Sequence, residues 1–226
     1  MKNTYDIIIR LFDFFISLVA LLVLLPIFAV VIIILRFTGE NEVFYLQQRV
    51  GYGMKPFLVI KFATMIKDSP NIGTGAITLK GDPRVLPFGK ILRKTKINEL
   101  PQLFNILKGD MSLVGPRPLM EKQFKFYDVQ DQEMIGQMKP GLTGVASVIF
   151  RDEEKYFMNS VDPDVIYRTK IAPSKALLER WFLEKRSVFM YFKLILITAV
   201  AVVSPSRSFL GILDAPTREE LENVLR

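Results

Sequence analysis

The stretch that decides the fold is Phe14 to Leu35, FFISLVALLVLLPIFAVVIIIL, in which Ser17 and Pro26 are the only interruptions of an apolar run. About 20 apolar residues suffice for a helix to cross the hydrocarbon layer of a bilayer. A helix in the core of a soluble protein is seldom this long and this apolar. A cleaved signal peptide has a shorter apolar run, followed by small residues. The sequence therefore predicts a membrane helix.

Two features of this helix argue against a simple crossing. Pro26 lies near its middle, where the missing N–H and the ring bend a helix. Basic residues flank both ends, Lys2 and Arg10 before and Arg36 and Arg49 after, and such residues favour the cytoplasmic side. A helix that enters the bilayer, turns at Pro26 and leaves on the same face satisfies both observations. We therefore favour a re-entrant helix over a straight span.

The composition limits the possible chemistry. The chain of 226 residues contains neither Cys nor His, which excludes disulfides, thiolate metal sites and an imidazole base. Catalysis would have to use carboxylates, Lys, Tyr, Ser, Thr or a hard cation. The net charge of +7 indicates an anionic partner such as phosphate, an acidic membrane surface or nucleic acid. No nucleic-acid-binding signature accompanies the charge, so nucleic acid is not an expected partner.

The rest of the chain predicts an α+β fold that is mostly helical. The β-prone runs Val43–Val50 and Phe57–Met65 flank the turn-rich GYGMKP and predict a small hairpin. A Gly- and Pro-rich section follows and indicates loops. Apolar spacing predicts a helix from Asn98 to Lys108, with its first residue as the N-cap. Ser174–Glu184 is a predicted amphipathic helix, and the apolar run Ser187–Val203 is either a second span or a helix in the membrane interface.

These elements divide the chain into three segments. We assign residues 1–38 to the membrane helix and residues 39–204 to a domain with interfacial helices, which the family resemblance given below implies is a catalytic domain at the cytoplasmic face. Residues 205–226 form a C-terminal extension, in which a capping box at Thr217 and Glu220 predicts a short surface helix. The predicted architecture is that of a monotopic membrane protein.

A basic cluster between the hairpin and the Asn98 helix suggests a phosphate site. A helix N-terminus attracts anions, and guanidinium groups match phosphate oxygens, although a solvated basic face explains the same charges. Glu99 in the first helical turn needs no function, because it compensates the helix dipole. The cluster includes Lys61, Arg84, Arg93 and Lys94.

Two further motifs carry weaker signals. The GPRP turn at Gly115 to Pro118 is rigid and presents Arg117. In FRDEE, Phe150 to Glu154, carboxylates lie beside Arg151, which is compatible with either a Mg²⁺ site or a solvated loop.

The stretches VFYLQQRVGYGMKPFLVIKFATM, DPRVLPFGKILRKTKINELPQLFNILKGDMSLVGPRP and KPGLTGVASV resemble the bacterial sugar transferase family. Its members include the small monotopic polyprenol-phosphate phosphoglycosyl transferases. The resemblance implies transfer of a sugar 1-phosphate from a UDP-sugar to undecaprenyl phosphate, with release of UMP, at the cytoplasmic face of the bacterial inner membrane. The product would begin a surface glycan such as O-antigen, capsule or exopolysaccharide, and downstream glycosyltransferases are possible partners.

The resemblance also implies roles for individual residues. The membrane helix is re-entrant and broken at Pro26. The family's Asp-Glu pair places a nucleophilic aspartate first and a Mg²⁺-binding glutamate second, so Glu99 is the expected metal carboxylate. The implied contacts with phosphate or nucleotide come from Lys61, Arg84, Arg93, Lys94, Pro116, Arg117, Pro118 and Arg151.

Two positions depart from the family pattern. Asn98 stands where the family has the nucleophilic aspartate, and Ala63 stands where arginine is usual. An amide has no anionic oxygen to attack phosphorus. Another carboxylate (Glu99, Asp152 or Glu153) could act instead, or the lipid phosphate could attack directly. An engineered Asp-to-Asn variant and an inactive membrane-anchored scaffold are alternatives, but we favour a natural divergent enzyme because more than one position differs.

Overall fold

The computed structural model describes residues 4–72, 81–151 and 162–203, together with positions 213 and 216. The chain forms two compact units. The first comprises Met1–Gln48 and Leu58–Met111, and the second comprises Arg49–Phe57 and Ser112–Arg226. Helices predominate, and the strands of the described residues form two small sheets. The predicted class, mostly helical α+β, is confirmed, whereas the division at residues 38 and 204 stays a prediction.

The first helix, α1 (Thr4–Phe37), contains the apolar run and continues through Pro26. Within the described ranges, only α1 is long and apolar enough to cross a membrane. Most of its apolar side chains are exposed, which a soluble protein would not tolerate over such an area. We therefore describe α1 as a membrane-associated helix, and its predicted re-entrant path stays a prediction. One stripe of α1 is buried, at helical spacing: Ile9, Asp13, Ser17, Leu21, Phe28, Val31 and Leu35.

The buried stripe of α1 packs against α3 (Gln102–Lys108). Near the start of α1, the Arg10 guanidinium donates to the carbonyl oxygens of Ile106 and Leu107, the latter at 2.6 Å. Carbonyls at a helix end lack intrahelical donors, and a cation there also complements the helix dipole. Arg10 thus joins the beginning of α1 to the end of α3.

The predicted hairpin is confirmed, with strands β1 (Phe44–Val50) and β2 (Pro56–Phe62). The buried Asn105 of α3 supplies hydrogen bonds to the edge of β2 that faces away from β1. The Ile60 N–H donates to its Oδ1 at 3.0 Å, and its Nδ2 donates to the Leu58 carbonyl at 2.7 Å. One side-chain amide therefore closes an edge that would otherwise leave two backbone groups unpaired.

The section predicted as loops contains a helix, α2 (Pro87–Lys94). Pro87 and Gly89 read as turn signals in the sequence, but proline is also favoured at the first helical position. Gly89 is required for a different reason, since a Cβ there would lie 2.2 Å from the Thr64 carbonyl oxygen. The Leu86 N–H also donates to that oxygen at 3.0 Å. Close packing on the segment after β2 therefore stabilises α2.

The second unit centres on a short parallel pair, β3 (Ser112–Val114) and β4 (Gly141–Thr143). The backbone of β4 passes close to the residue that follows β3. A Cβ on Gly141 would lie 2.1 Å from the Gly115 nitrogen, so this approach requires glycine. A π-helix, Tyr167–Ile171, continues directly into the 14-residue helix Ala172–Lys185. The described helices of the unit are α4 (Glu121–Phe124), α5 (Val129–Gly136), α6 (Val145–Ile149), α7 (Pro163–Ile166), α8 (Ala172–Lys185) and α9 (Val188–Val203).

Helices α8 and α9 confirm the two helices expected in this region. One face of α9 packs on α6, β3 and β4, through the buried residues Tyr191, Leu194, Ile197 and Ala201. The described part of α9 has 16 residues, a length of about 24 Å, compared with roughly 30 Å for a hydrocarbon layer. The choice between a second span and a helix in the interface stays open. The predicted Thr217–Glu220 helix lies outside the described residues.

Candidate active site

The predicted helix start at Asn98 is wrong. Residues Ile97–Glu99 form a separate 3₁₀ turn, and α3 begins at Gln102 after Pro101. Pro101 has no N–H to donate to the Ile97 carbonyl. The Leu100 N–H donates to that carbonyl instead, at 3.1 Å, which gives the tighter 3₁₀ geometry. The expected anion site at the start of a helix therefore loses its basis, and Asn98 is not a helix cap.

Asn98 is instead a buried polar residue with an unpaired side-chain oxygen in the described part of the chain. It is 8% exposed, and among the described residues its Oδ1 atom has no hydrogen-bond donor. Leaving a buried acceptor unpaired costs about 1–3 kcal/mol, so such an atom calls for an explanation, for example a ligand or water that supplies the donor. Glu99, the next residue of the turn, is half-buried. The turn thus combines an unmatched amide oxygen with a carboxylate.

Helix α2 packs against this turn and carries two of the predicted cations, Arg93 and Lys94, in its last turn. Arg93 is half-buried, and its Nη1 lies 3.4 Å from Thr64 Oγ1. Lys94 is exposed. The first unit therefore brings a partly buried guanidinium and the Asn98 turn onto adjacent elements, an arrangement that suits an anionic ligand.

Arg84 is placed differently. It is 3% exposed and forms an ion pair with Asp82, with Nη2 and Oδ2 2.6 Å apart. Its Nη1 also donates to the carbonyl oxygens of Ser69 and Ile72, both at 2.8 Å. The Asp82 carboxylate raises the pKa of Arg84. These contacts make Arg84 the centre of a folded loop, and its contact with phosphate stays a prediction.

The remaining predicted positions of the first unit lie on and after β2. Lys61 is a half-buried residue of β2. Ala63, the position where the family usually has arginine, is 7% exposed. A buried alanine supplies no charge, so the cation that the resemblance leads one to expect at this position is absent.

The PRP residues belong to the second unit, directly after β3. Pro116 and Pro118 are buried, and Arg117 is half-buried. The turn is held by backbone contacts: the Gly141 N–H donates to the Pro116 carbonyl at 2.8 Å, and Arg49 Nη1 donates to the Pro118 carbonyl at 3.2 Å. Pro116 and Arg117 line a pocket of about 260 Å³, which includes its opening to solvent.

Arg151 follows α6 in the second unit. Its Nη1 atom is buried and has no hydrogen-bond partner among the described residues, which makes it available to an acceptor from a ligand. Asp152 and Glu153, the two carboxylates predicted beside it, lie outside the described residues.

The sequence did not point to a buried carboxyl group in α8. Glu179 is 2% exposed, and neither of its oxygens has a regular hydrogen-bond partner in the described part of the chain. Burial raises the pKa of Glu179 to about 8, although Lys175 and the facing N–H of Ala146 oppose this shift. Lys175 Nζ lies 5.1 Å from the centroid of the Tyr167 ring. In the sequence, Lys175 and Glu179 look like an ordinary surface pair at helical spacing, so only tertiary packing reveals them.

The model of the family described as "Bacterial sugar transferase" matches residues 4–205. The chain belongs to the bacterial sugar transferase family. The match includes α1, the Asn98 turn and the PRP turn, so the predicted membership is confirmed. This sugar transferase carries its candidate site residues in both compact units. Arg93, Asn98 and Glu99 lie in the first, whereas Arg117 and Arg151 lie in the second.

Curated relatives of this sugar transferase act in glycan synthesis. An exopolysaccharide production protein of Sinorhizobium fredii is 32% identical over 188 residues, which cover 77% of this chain and 78% of the relative. A UDP-N-acetylgalactosamine-undecaprenyl-phosphate N-acetylgalactosaminephosphotransferase of Aeromonas hydrophila is 37% identical over 64% of this chain and 34% of its own length. An undecaprenyl-phosphate galactose phosphotransferase of Salmonella typhimurium is 34% identical over 69% of this chain and 35% of its own length.

Proposed function

We propose that this sugar transferase moves a sugar 1-phosphate from a UDP-sugar to undecaprenyl phosphate and releases UMP. The observation that carries the proposal is the Ile97–Glu99 turn, with its buried Asn98, packed against α2 and the partly buried Arg93. Phosphoryl transfer depends mainly on positioning and on cations that neutralise phosphate oxygens. The named activities of the Aeromonas and Salmonella relatives support the same reaction class.

The product would begin a bacterial surface glycan at the cytoplasmic face of the inner membrane. A re-entrant path of α1 is part of this proposal, because Pro26 lies near the middle of the apolar run and basic residues flank both of its ends. Such a path keeps both ends of α1 on the side of the membrane where the donor is soluble.

The residues of the Asn98 turn fit a bound Mg²⁺. Mg²⁺ is usually held by one or two carboxylates together with substrate phosphates. Glu99 supplies one carboxylate, and the unpaired Asn98 Oδ1 supplies a neutral oxygen acceptor. A metal site made of protein ligands alone needs more side chains than these two. No group of three or more metal-binding side chains occurs among the residues that the structure describes, so the substrate phosphates would have to supply the other ligands. When bound, Mg²⁺ would neutralise charge on the diphosphate.

Asn98 points to a one-step transfer in this enzyme. Its amide lacks the anionic oxygen that a covalent step requires. We therefore infer that an oxygen of the lipid phosphate attacks the β-phosphorus of the donor. A new P–O bond to the lipid forms while the P–O bond to UMP breaks, and UMP leaves with the electron pair. Arg93 would bind the diphosphate and orient its β-phosphorus toward the lipid phosphate.

The test of function is UMP release from a panel of UDP-sugars with undecaprenyl phosphate in detergent. We expect turnover by the native chain, its loss in Glu99→Gln and Arg93→Ala, and no change in the exposed control Lys90→Ala on the same helix as Arg93. No turnover with any donor, combined with activity in Asn98→Asp, would refute the proposal for the native chain.

The mechanism has its own test, mass spectrometry of the enzyme incubated with UDP-sugar alone. Direct attack predicts an unmodified protein mass. A phosphosugar adduct would contradict direct attack. The modified residue would then be the nucleophile, and the peptide that contains Asp152 and Glu153 is the first to examine.

A second function, a membrane-anchored scaffold without activity, is favoured by Asn98 alone. It predicts that Glu99→Gln preserves the cellular role of the protein. Loss of glycan in cells that carry Glu99→Gln at normal abundance argues against the scaffold.

A further inference from the structure

One face of the β1–β2 hairpin is apolar. The rings of Phe44 and Phe62 stack with centroids 5.5 Å apart and planes 16° apart, so both side chains lie on the same face of the sheet. Side chains alternate along a strand. Leu46 therefore shares this face with Phe44, and Leu58 shares it with Phe62. We call Phe44, Leu46 and Leu58 the apolar hairpin face.

This apolar face points outward. Phe44, Leu46 and Leu58 are 42%, 55% and 52% exposed. The opposite face, which includes Val59 with Gln47 and Lys61, is more buried. A sheet with one face in water normally carries polar residues on that face, whereas the exposed face of this hairpin is mainly apolar. The hairpin therefore has the polarity expected beside a nonpolar medium.

The apolar hairpin face is connected to the membrane helix through aromatic rings. Phe62 contacts Phe28 of α1, with centroids 5.3 Å apart. Phe28 in turn meets Phe104 of α3 edge-on at 6.0 Å. Phe28 and Phe62 are buried, whereas Phe44 and Phe104 are 42% and 45% exposed. The exposed ends of this aromatic series thus extend the apolar surface of α1 onto the hairpin and α3.

We propose that the apolar hairpin face, together with Phe104, is a second membrane-contacting surface that lies in the acyl-chain boundary of the bilayer that α1 enters. The inference rests on the proposed membrane placement of α1. Continuity with α1 favours lipid over a protein partner as the occupant. The alternation also places the exposed Gln48 on this face, next to Leu46, so the face combines apolar side chains with a polar one, as expected at a membrane interface.

This second contact would restrict how the first unit can rotate on the membrane. If α1 were the only membrane contact, the first unit could rotate about the axis of α1. Contact of the hairpin and α3 with the same lipid surface would prevent this rotation. The Ile97–Glu99 turn, which precedes α3 by two residues, would then stay at one depth relative to a lipid phosphate.

The absence of native cysteine allows a direct test with single-cysteine variants. Leu46→Cys and Leu58→Cys would each carry an environment-sensitive fluorophore in full-length protein, incorporated at one copy per phosphatidylcholine nanodisc. Val23→Cys on the exposed surface of α1 is the lipid-facing control, and Lys90→Cys, exposed on α2, is the water-facing control. We expect blue-shifted emission at Leu46 and Leu58, loss of intensity with nitroxide-labelled lipid, and protection from aqueous iodide.

The controls separate failure of this inference from failure of the proposed membrane placement. If Val23 is quenched by nitroxide lipid but Leu46 and Leu58 are quenched by iodide, the hairpin faces water and the inference is overturned. Protection of Leu46 and Leu58 from both quenchers would indicate a protein contact and would overturn it equally. Quenching of Val23 by iodide would instead reject the membrane placement of α1.

Discussion

Replacing Glu179 by glutamine should change how the stability of the protein depends on pH. Burial raises the pKa of this carboxyl from 4.5 to about 8. The folded state therefore keeps a proton that the unfolded state has lost between these pH values. The free energy of unfolding falls through this window by about 1.4 kcal/mol per pH unit, to a total of about 5 kcal/mol. Below pH 4.5 both states hold the proton, so this stabilisation is fully present there and is lost as the pH rises to about 8.

Glutamine is neutral at every pH and similar in shape to protonated glutamate. We expect Glu179→Gln and the native chain to have similar stability at pH 5. By pH 9 the variant should be more stable by as much as about 5 kcal/mol, with about 2–4 °C in Tm for each kcal/mol. The positive charge of Lys175 lowers the pKa of Glu179, but burial has the larger effect, so the pKa remains raised.

Unfolding can be followed in detergent through Trp181, the single tryptophan of the chain, which lies in α8 beside the substituted position. Glu184→Gln is the matched control, because Glu184 is exposed on the same helix. Parallel pH profiles for Glu179→Gln and the native chain would refute the reasoning.

Three further substitutions test the contacts of the first unit by thermal unfolding, each against Lys90→Ala as the exposed control. Asn105→Ala leaves two β2 backbone groups unpaired and should cost about 2–4 kcal/mol; a loss near zero would mean that water replaces the amide. Arg84→Lys keeps the charge beside Asp82 but cannot reproduce its several donors, and should cost about 1–3 kcal/mol; equal stability would contradict a folding role. Arg10→Ala removes the donors at the end of α3 and should cost about 1–3 kcal/mol, so an unchanged Tm would show that this contact is weak.

The sequence predicted the elements whose signal is local. The apolar run of α1 and the two β-prone runs of the hairpin are long and regular, so periodicity and turn chemistry identify them. The sequence did not predict helix α2, because Pro87 and Gly89 are turn signals in isolation. Close packing against Thr64 stabilises them as helix residues, and no local sequence pattern predicts that contact.

The candidate site was predictable in its residue types more than in its geometry. The family resemblance pointed to Asn98, Glu99 and Arg93, which the structure places on adjacent elements. The predicted helix N-terminus failed because one proline converts the start of the helix into a 3₁₀ turn. The roles of Asn105 and Glu179 depend on which residues pack around them, and the same holds for the ion pair of Arg84 with Asp82.

The Arg10 contact has a consequence for how the chain is made. Arg10 and its acceptor Ile106 are 96 residues apart, and synthesis at about 5–20 residues per second separates them by roughly 5–20 seconds. During that interval α1 has left the ribosome without α3, and the stripe that contains Asp13 and Ser17 is still uncovered. A nascent helix with a carboxylate on one side settles more readily at the membrane surface than across its centre. The same stripe that later packs on α3 would thus keep α1 shallow until its partner is synthesised.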